Sequence, residues 1–302
     1  MNKWIRRAAI ATLGLAGAAV ATLVIGAQAG QRKAQRQLSV AAHPITLRND
    51  AQAIERGRYL YGSRGCADCH GTDGAGRDVI DAGKGGLFVH APNITPGRGG
   101  AVAGYAPQNW DATIRHGVKP DGRPLLIMPS EDYNRLTDED LESVVAYVRQ
   151  LAPVEAPGAT LRLPMPVQAL YAVGVVRDAA EKIDHRLPVA TPVPEGVTRE
   201  HGAYVANSCI GCHGQGLAGG RIPGAPPDWP AAANLTPGEG SVLPRYPDAD
   251  AFIAMLRSGR RPDGSAVSPV MPFGALAQLS DVDAKALYLQ LNSLPARPAG
   301  QR

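Results

Sequence analysis

The segment Cys66-Ala-Asp-Cys69-His70 recurs with identical spacing as Cys209-Ile-Gly-Cys212-His213. These two segments contain all four cysteines of the 302-residue chain. In the pattern C-x-x-C-H, two thiols one helical turn apart reach both vinyl groups of one porphyrin, and the adjacent histidine is held under the iron. The sequence therefore predicts two covalently attached haem c groups. The predicted attachment residues are Cys66, Cys69, Cys209 and Cys212, and the predicted proximal iron ligands are His70 and His213.

Two other uses of paired cysteines fit the sequence less well. A structural zinc site needs two further Cys or His ligands at short spacing, and neither pair has them. A redox-active C-x-x-C, or a disulfide within it, is expected in a βαβ setting. The flanks of both pairs instead read as helix and glycine-rich loop.

An internal repeat with an offset of 141 to 145 residues surrounds the two segments. The matching pairs are Gly57-Arg-Tyr59 with Gly202-Ala-Tyr204, Asn93-Ile-Thr-Pro-Gly97 with Asn234-Leu-Thr-Pro-Gly238, residues 110–117 with 252–259, and the turns Lys119-Pro-Asp-Gly122 and Arg261-Pro-Asp-Gly264. A repeat of this length indicates tandem domains. We predict domains at 50–153 and 196–298, joined by a proline-rich connector at 154–195 that contains a short helix, Val167–Ile183.

Each predicted domain ends in a helix that begins with a capping signal. Thr137 and Ser280 are each followed three residues later by an aspartate, a pattern that resembles a capping box. The predicted helices are Leu141–Leu151 and Ala284–Leu294. We expect Gly57 and Gly202 to lie where the first helix of each domain crosses the last, near Tyr147 and Tyr288. The whole pattern predicts an all-α fold.

Two methionines are candidates for the sixth iron ligand. Thioether sulfur is a usual ligand opposite histidine in cytochromes. Met128 and Met271 each follow the first cysteine of their segment by 62 residues, and each precedes a proline. Of the remaining methionines, Met1 is the first residue, Met165 lies in the connector and Met255 lies inside a predicted helix without a methionine in its repeat counterpart. Met128 and Met271 are therefore the predicted axial ligands.

Repeated polar residues have two open interpretations each. Arg115 and Arg257 occupy equivalent positions and either pair with haem propionates or face solvent. Asn93 and Asn234 either cap local backbone or bond near the haem edge. The other histidines (His43, His90, His116, His185 and His201) are read as packing or solvated residues, because no histidine stands at their alignable counterparts.

The N-terminal segment, 1–31, reads as a membrane anchor or a signal peptide. The run Ala8–Ala27 has no charged residue, and twenty helical residues span about 30 Å, enough to cross a bilayer. Its length and the basic flank favour an uncleaved anchor, while Ala27-Gln-Ala29 is a plausible cleavage signal. Seven basic residues and no acidic one precede Asp50, so the net charge of +4 becomes −3 over residues 50–302. The basic balance therefore belongs to the tail, and we expect no nucleic-acid partner.

With C-x-x-C-H, N-[IL]-T-P-G, P-D-G and M-P in order and duplicated, residues 50–298 resemble bacterial class I-like cytochromes c. In particular, the chain looks like the membrane-anchored cytochrome c subunits of alcohol, aldehyde and gluconate dehydrogenases. Those subunits usually carry three haem domains, whereas this chain has two haem motifs.

That resemblance implies two tandem all-α haem domains after an anchor or signal helix, on the periplasmic side of the cytoplasmic membrane, or in the periplasm if the segment is cleaved. It also implies an electron carrier rather than an enzyme, passing electrons from a dehydrogenase or quinol to an oxidase or soluble cytochrome. The alternative is a dihaem redox enzyme such as a cytochrome c peroxidase.

Overall fold

The structure is a computed structural model that describes residues 3–226 and 228–302. Met1 and Asn2, at the start of the predicted anchor, and Pro227 lie outside the described residues. In the first half, the helices are α1 (Lys3–Ala34), α2 (Ala51–Ser63), α3 (Cys66–His70), α4 (Pro107–Ile114), α5 (Ser130–Tyr133) and α6 (Asp138–Gln150). In the remainder they are α7 (Met165–Ala172), α8 (Ala179–Lys182), α9 (Arg199–Ala206), α10 (Ile210–His213), α11 (Ala249–Ser258), α12 (Phe273–Leu276) and α13 (Asp281–Ser293).

The repeat in the sequence corresponds to a repeat of helices. If the strands are left aside, helices α2 to α6 correspond in order to helices α9 to α13. The second helix of each set lies in the C-x-x-C-H segment: α3 covers the whole first segment, and α10 covers the second from Ile210 onwards. Two separate clusters of buried apolar side chains result. One includes Leu60, Leu141 and Val145, and the other includes Val205, Leu256 and Leu291. The first helix of each set packs mainly on the last, α2 on α6 and α9 on α13.

A small antiparallel sheet departs from the predicted all-α fold. Strands β1 (Arg77–Asp81), β2 (Phe88–Ala91) and β3 (Thr160–Arg162) are hydrogen-bonded in that order. No alternating apolar pattern marks these strands in the sequence, because they are short and because β1 and β3 are largely exposed. The third strand comes from the connector, which is thereby held against the first half of the chain.

The capping predictions for the last helices are confirmed. The Thr137 hydroxyl accepts a hydrogen bond from the Asp140 N–H, and the Ser280 hydroxyl accepts one from the Asp283 N–H. Both helices begin directly after their caps, three residues earlier than predicted. The two aspartate side chains do not turn back to the cap; they bind residues on other helices.

The predicted glycine crossings are present, with one correction. A Cβ at Gly57 would overlap the Ser143 carbonyl oxygen and approach the Tyr147 Cβ to 2.8 Å. A Cβ at Gly202 would overlap the Ala286 carbonyl oxygen, and its nearest side chain is Gln290 rather than Tyr288. Tyr288 instead donates to the Tyr246 carbonyl oxygen and lies against Phe252. The absence of a side chain at both glycines lets the helix backbones touch.

Helix α1 is long and apolar enough to cross a membrane by length and composition, with a mean hydropathy of 2.2 in its most apolar window. Its C-terminal part packs on α7 of the connector. The single helix predicted at Val167–Ile183 is wrong: α7 ends at Ala172, and α8 begins only at Ala179. Gly174, with φ of +78°, interrupts the helical backbone between them.

Candidate haem-binding sites

The four cysteines of the repeated motif are free thiols. The histidine of each motif is the last residue of a short helix. The glycine that follows it, Gly71 or Gly214, has a φ near +80°, which ends the helix and changes the direction of the chain. Burial raises the pKa of Cys66 and of Cys209 to about 12, so both are neutral thiols at physiological pH. Thiols that are neither oxidised nor bound elsewhere in the protein are what thioether attachment to a porphyrin needs.

The two motif histidines have the same orientation and the same partner type. His70 Nδ1 lies 3.0 Å from the Pro92 carbonyl oxygen, and His213 Nδ1 lies 2.8 Å from the Ala233 carbonyl oxygen. A carbonyl can only accept, so Nδ1 carries the proton and the lone pair is on Nε2. Among the described residues, no hydrogen bond reaches Nε2 of either ring. A metal-binding histidine is typically oriented in this way, by a hydrogen bond from its other nitrogen.

Burial also keeps these histidines in the form that binds iron. It lowers the pKa of both His70 and His213 below the ordinary value, and the bond to the carbonyl oxygen only partly opposes this effect. Both imidazoles are therefore neutral near pH 7. Free thiols and a neutral, oriented imidazole fit haem c at both motifs.

A pair of asparagine loops fixes the carbonyl groups that orient the histidines. Asn93 follows Pro92, and its side chain accepts from the Thr95 N–H at 2.8 Å and donates to the Val154 carbonyl oxygen at 2.8 Å. The backbone-capping interpretation of this residue is therefore correct. These hydrogen bonds attach the loop to the segment after α6. Contacts within the protein therefore fix the position of the Pro92 carbonyl group.

The second half repeats this arrangement. Asn234 follows Ala233, accepts from the Thr236 N–H at 2.9 Å and donates to the Arg297 carbonyl oxygen at 2.8 Å. Both asparagines are fully buried. Sequence reasoning singled out the N-[IL]-T-P-G motif but did not find the orienting carbonyls directly before it, because backbone groups leave no residue-type signal.

The predicted axial methionines border the same apolar clusters as their motifs. Met128 packs with Cys66 on the cluster of the first half, and Met271 packs with Cys209 on that of the second. Both methionine side chains are half-buried. Met255, which the sequence excluded, lies 4% exposed inside the second cluster.

The repeated arginines bind carboxylates of the protein. Arg115 donates to Asp111 at 2.9 Å and Asp138 at 2.8 Å, and Arg257 donates to Asp281, the counterpart of Asp138. Arg115 is 2% exposed, and its Nε and Nη2 atoms are buried without a hydrogen-bond partner in the described part of the chain. Those two N–H groups are available to a propionate, while half-exposed Arg257 gives no comparable signal.

The remaining histidines contact protein groups. His43 lies 3.2 Å from Asp138, His90 2.7 Å from Asp78, His116 3.0 Å from His185, and His201 2.7 Å from Asp283. Within residues 3–226 and 228–302, no group of three or more His, Cys, Asp or Glu side chains is arranged to hold a metal ion.

Residues 52–148 match the family described as cytochrome c oxidase, cbb3-type, subunit III. This range contains Cys66, Cys69, His70 and Met128. Residues 52–148 form a cytochrome c domain. The match begins in α2 and ends in α6, so the domain includes nearly all of the first set of helices and most of its apolar cluster.

Similar proteins are cytochrome subunits of dehydrogenases. The chain is 31% identical over 268 residues to the fructose dehydrogenase cytochrome subunit of Gluconobacter japonicus, covering 81% of this chain and 53% of the relative. It is 27% identical to the alcohol dehydrogenase (quinone) cytochrome c subunit of Gluconobacter oxydans, covering 83% and 57%. It is 28% identical to the gluconate 2-dehydrogenase cytochrome c subunit of Pantoea cypripedii, covering 87% and 64%. The chain thus spans between half and two thirds of the length of these relatives. All three are named as cytochrome subunits rather than as catalytic subunits.

Proposed function

We propose that the chain is a dihaem cytochrome c that carries electrons and makes no covalent bonds in a substrate. The observation that carries this proposal is the duplicated histidine geometry. His70 and His213 each have Nδ1 on a backbone carbonyl, and each lies beside two free thiols. Haem c supplies one-electron iron chemistry when bound, and the protein holds its ligands and excludes water from it.

The proposed haem domains are 50–153 and 196–298, with the connector 154–195 between them. In each domain the protein has the same tasks. Two cysteines fix the porphyrin, a histidine binds the iron, and a methionine binds it from the opposite side. The proposed axial pairs are His70 with Met128 and His213 with Met271. A methionine on both irons favours an electron carrier over a peroxidase-like enzyme, since the enzyme needs an open coordination position.

Contacts between the halves support electron transfer within the chain. Asp132 on α5 accepts a 2.6 Å hydrogen bond from the N–H of Gly211, which lies between the second pair of cysteines. Reciprocally, α12 contacts α3, and a Cβ at Gly274 would lie 2.8 Å from Asp68 in the first motif. Each haem-attaching segment therefore contacts the opposite half, which supports electron exchange between the two proposed haems.

The electron partners are redox proteins. The names of the relatives favour a dehydrogenase as donor, with a quinol as the other candidate donor and an oxidase or soluble cytochrome as acceptor. Brief docking through small interfaces suits such exchange. Helix α1 anchors the chain, with the haem domains on the periplasmic side of the cytoplasmic membrane.

Haem content tests the proposal directly. The protein should keep its haem after denaturation and acid–acetone extraction, and its alkaline pyridine spectrum should report two haems per chain. Cys66→Ala/Cys69→Ala and Cys209→Ala/Cys212→Ala are matched variants that should each keep one. A wild-type protein that releases its haem, or a double variant that keeps both, would contradict the dihaem assignment.

The intact mass of the purified protein tests the anchor. An uncleaved helix predicts a chain that begins at its initiator end and stays in membranes after a high-salt wash. A mature chain that begins at Gly30 and is released without detergent would show that the segment is a signal peptide.

A further inference from the structure

We propose that α7 and the turn after it form a second membrane-contact surface, which inserts into the lipid headgroup and upper acyl region beside α1. The partner is the bilayer leaflet on the side of the haem domains. This inference rests on the proposed function only in requiring that α1 stays attached as an anchor.

The surface of this segment has the composition of a lipid-facing surface. No charged residue occurs from Leu163 to Val176, and Arg162 and Arg177 bound the run on either side. The exposed side chains between them are apolar: Met165 (51% exposed), Leu170 (43%), Val173 (74%) and Val175 (55%), together with Pro166. An apolar patch bounded by basic residues is typical of segments that lie in the membrane interface.

The polar side chains of the segment are directed inwards. The Gln168 amide donates to the Leu163 carbonyl oxygen at 2.6 Å, and the Tyr171 hydroxyl donates to Asp178 at 2.6 Å. Tyr171 is fully buried. The outer surface of α7 therefore offers water nothing to hydrogen-bond apart from backbone, which is costly for a surface that faces solvent.

The contact with α1 fixes the depth of this surface. The apolar run of α1 extends from Ala8 to Ala27. A Cβ at Gly26 would lie 2.9 Å from the Ala169 Cβ, and a Cβ at Gly30 would overlap the Gln168 carbonyl oxygen. Glycines four residues apart let two helices approach closely, as in membrane helix pairs. Since Gly26 lies within the apolar run, Ala169 must lie at the boundary of the hydrocarbon region.

Ion pairs beyond the apolar run hold α7 in this place. Lys33 pairs with Glu181 at 2.8 Å, and Arg36 pairs with Asp178 at 2.7 Å. Arg36 also donates to the Tyr171 hydroxyl at 2.7 Å. These contacts join the basic flank of the anchor to the connector on the aqueous side. The apolar surface of α7 is thereby kept beside the anchor instead of turning towards solvent.

Site-specific photocrosslinking of the full-length, haem-loaded protein in its own membranes tests the proposal. The photoreactive residue p-benzoyl-phenylalanine is placed at Val173, at Leu15 in the middle of α1 (74% exposed), or at Leu289 on α13 (40% exposed). After irradiation, mass spectrometry of the labelled peptide identifies what each position touches. All three side chains are exposed, so the replacements leave the core intact.

We expect the mass of one phospholipid to be added at Val173 and at Leu15, and none at Leu289. Lipid at Leu15 with no adduct, or only a protein adduct, at Val173 would overturn the second contact surface and leave the anchor standing; a protein adduct would point to a partner subunit instead. Absence of lipid at Leu15 as well would show that the anchor proposal itself is wrong.

Discussion

The Tyr59 hydroxyl donates a 2.7 Å hydrogen bond to Asp283 Oδ2, which lies 224 residues later in the opposite half of the chain. The same hydroxyl accepts from the Ser280 N–H at 3.1 Å. The counterpart of Tyr59, Tyr204, makes the reciprocal contacts: its hydroxyl donates to Asp140 at 2.6 Å and accepts from the Thr137 N–H at 3.3 Å. Each tyrosine therefore completes the helix cap of the other half, and the two halves exchange equivalent contacts.

Removal of either tyrosine hydroxyl should weaken the contact between the halves. In Tyr59→Phe, Asp283 and the Ser280 N–H lose a partner, which costs about 1–3 kcal/mol of the free energy of unfolding when the group left behind is buried. Tyr204→Phe should cost a similar amount because the geometry is duplicated. Urea unfolding, followed separately through the two haem environments in the single-haem cysteine variants, measures both the stability and the coupling.

Tyr288→Phe is the matched control, since the Tyr288 hydroxyl bonds within its own half. It should change stability without uncoupling the two unfolding transitions. If Tyr59→Phe left the transitions as closely coupled as Tyr288→Phe does, the tyrosine exchange would not hold the halves together.

Asp132 should give the protein a characteristic pH dependence. Burial raises the pKa of its carboxyl to about 8, despite the hydrogen bond from Gly211 and the charge of Lys182, with neighbouring Glu131 adding to the rise. In the unfolded chain the Asp132 carboxyl releases its proton near pH 4. Between about pH 4 and pH 8 the folded state therefore binds more protons than the unfolded state. The free energy of unfolding should therefore fall as the pH rises through this window.

Asp132→Asn removes that titration and keeps an oxygen that can accept from Gly211. The stability difference between variant and wild type should grow in favour of the variant from about pH 4 to pH 8 and then level off. Chemical unfolding at a series of pH values measures this difference curve. A flat difference would show that the carboxyl is already ionised at neutral pH.

Replacement of either proposed axial methionine should affect one haem only. In Met128→Ala and in Met271→Ala, water or hydroxide replaces thioether sulfur, so one reduction potential falls because the sulfur favours Fe(II). About half of the far-red charge-transfer band of the ferric protein should disappear in each variant, and one iron should bind added ligands. Redox titration with visible spectroscopy measures both effects.

Met255→Leu and Met165→Leu are the controls for the methionines. Met255 is a buried core residue and Met165 is half-exposed on α7, so exchange for leucine should cost less than about 1.5 kcal/mol and leave both potentials unchanged. An unchanged spectrum in Met271→Ala would assign another ligand to the second iron and favour a peroxidase-like site.

The glycine crossings should tolerate no side chain. Gly57→Ala and Gly202→Ala place a methyl group on the Ser143 and Ala286 carbonyl oxygens, which forces α2 away from α6 or α9 away from α13. Overpacking of this kind costs about 1–3 kcal/mol. Gly196→Ala is the control, because its added Cβ meets only the Thr198 methyl group at 3.8 Å. Thermal unfolding of the three variants provides the comparison, and equal melting temperatures would contradict the close crossing.

The candidate sites could be predicted from the sequence where the chemistry is local. Spacing within five residues defines the haem-attachment motifs, and spacing within four defines the caps at Thr137 and Ser280. The repeat then identified the helix crossings at Gly57 and Gly202, because two copies of a small residue share one structural reason. The break at Gly174 was not predicted: one helix was expected across Val167–Ile183, and the positive φ of a single glycine is not visible in the sequence.

What only the tertiary structure decided involves groups that are distant in sequence or belong to the backbone. The carbonyl groups that orient His70 and His213 carry no residue signature, and the packing of Gly26 on Ala169 joins segments over 140 residues apart. Asp140 and Asp283 differ from their predicted role for the same reason. Their position after a cap predicted a local hydrogen bond, but a charge buried between two halves is stabilised more by tyrosine, arginine and histidine donors from other helices. Local spacing in the sequence identifies the motifs and the helix caps. The packing of the two halves against each other determines which hydrogen-bond partner each buried side chain has.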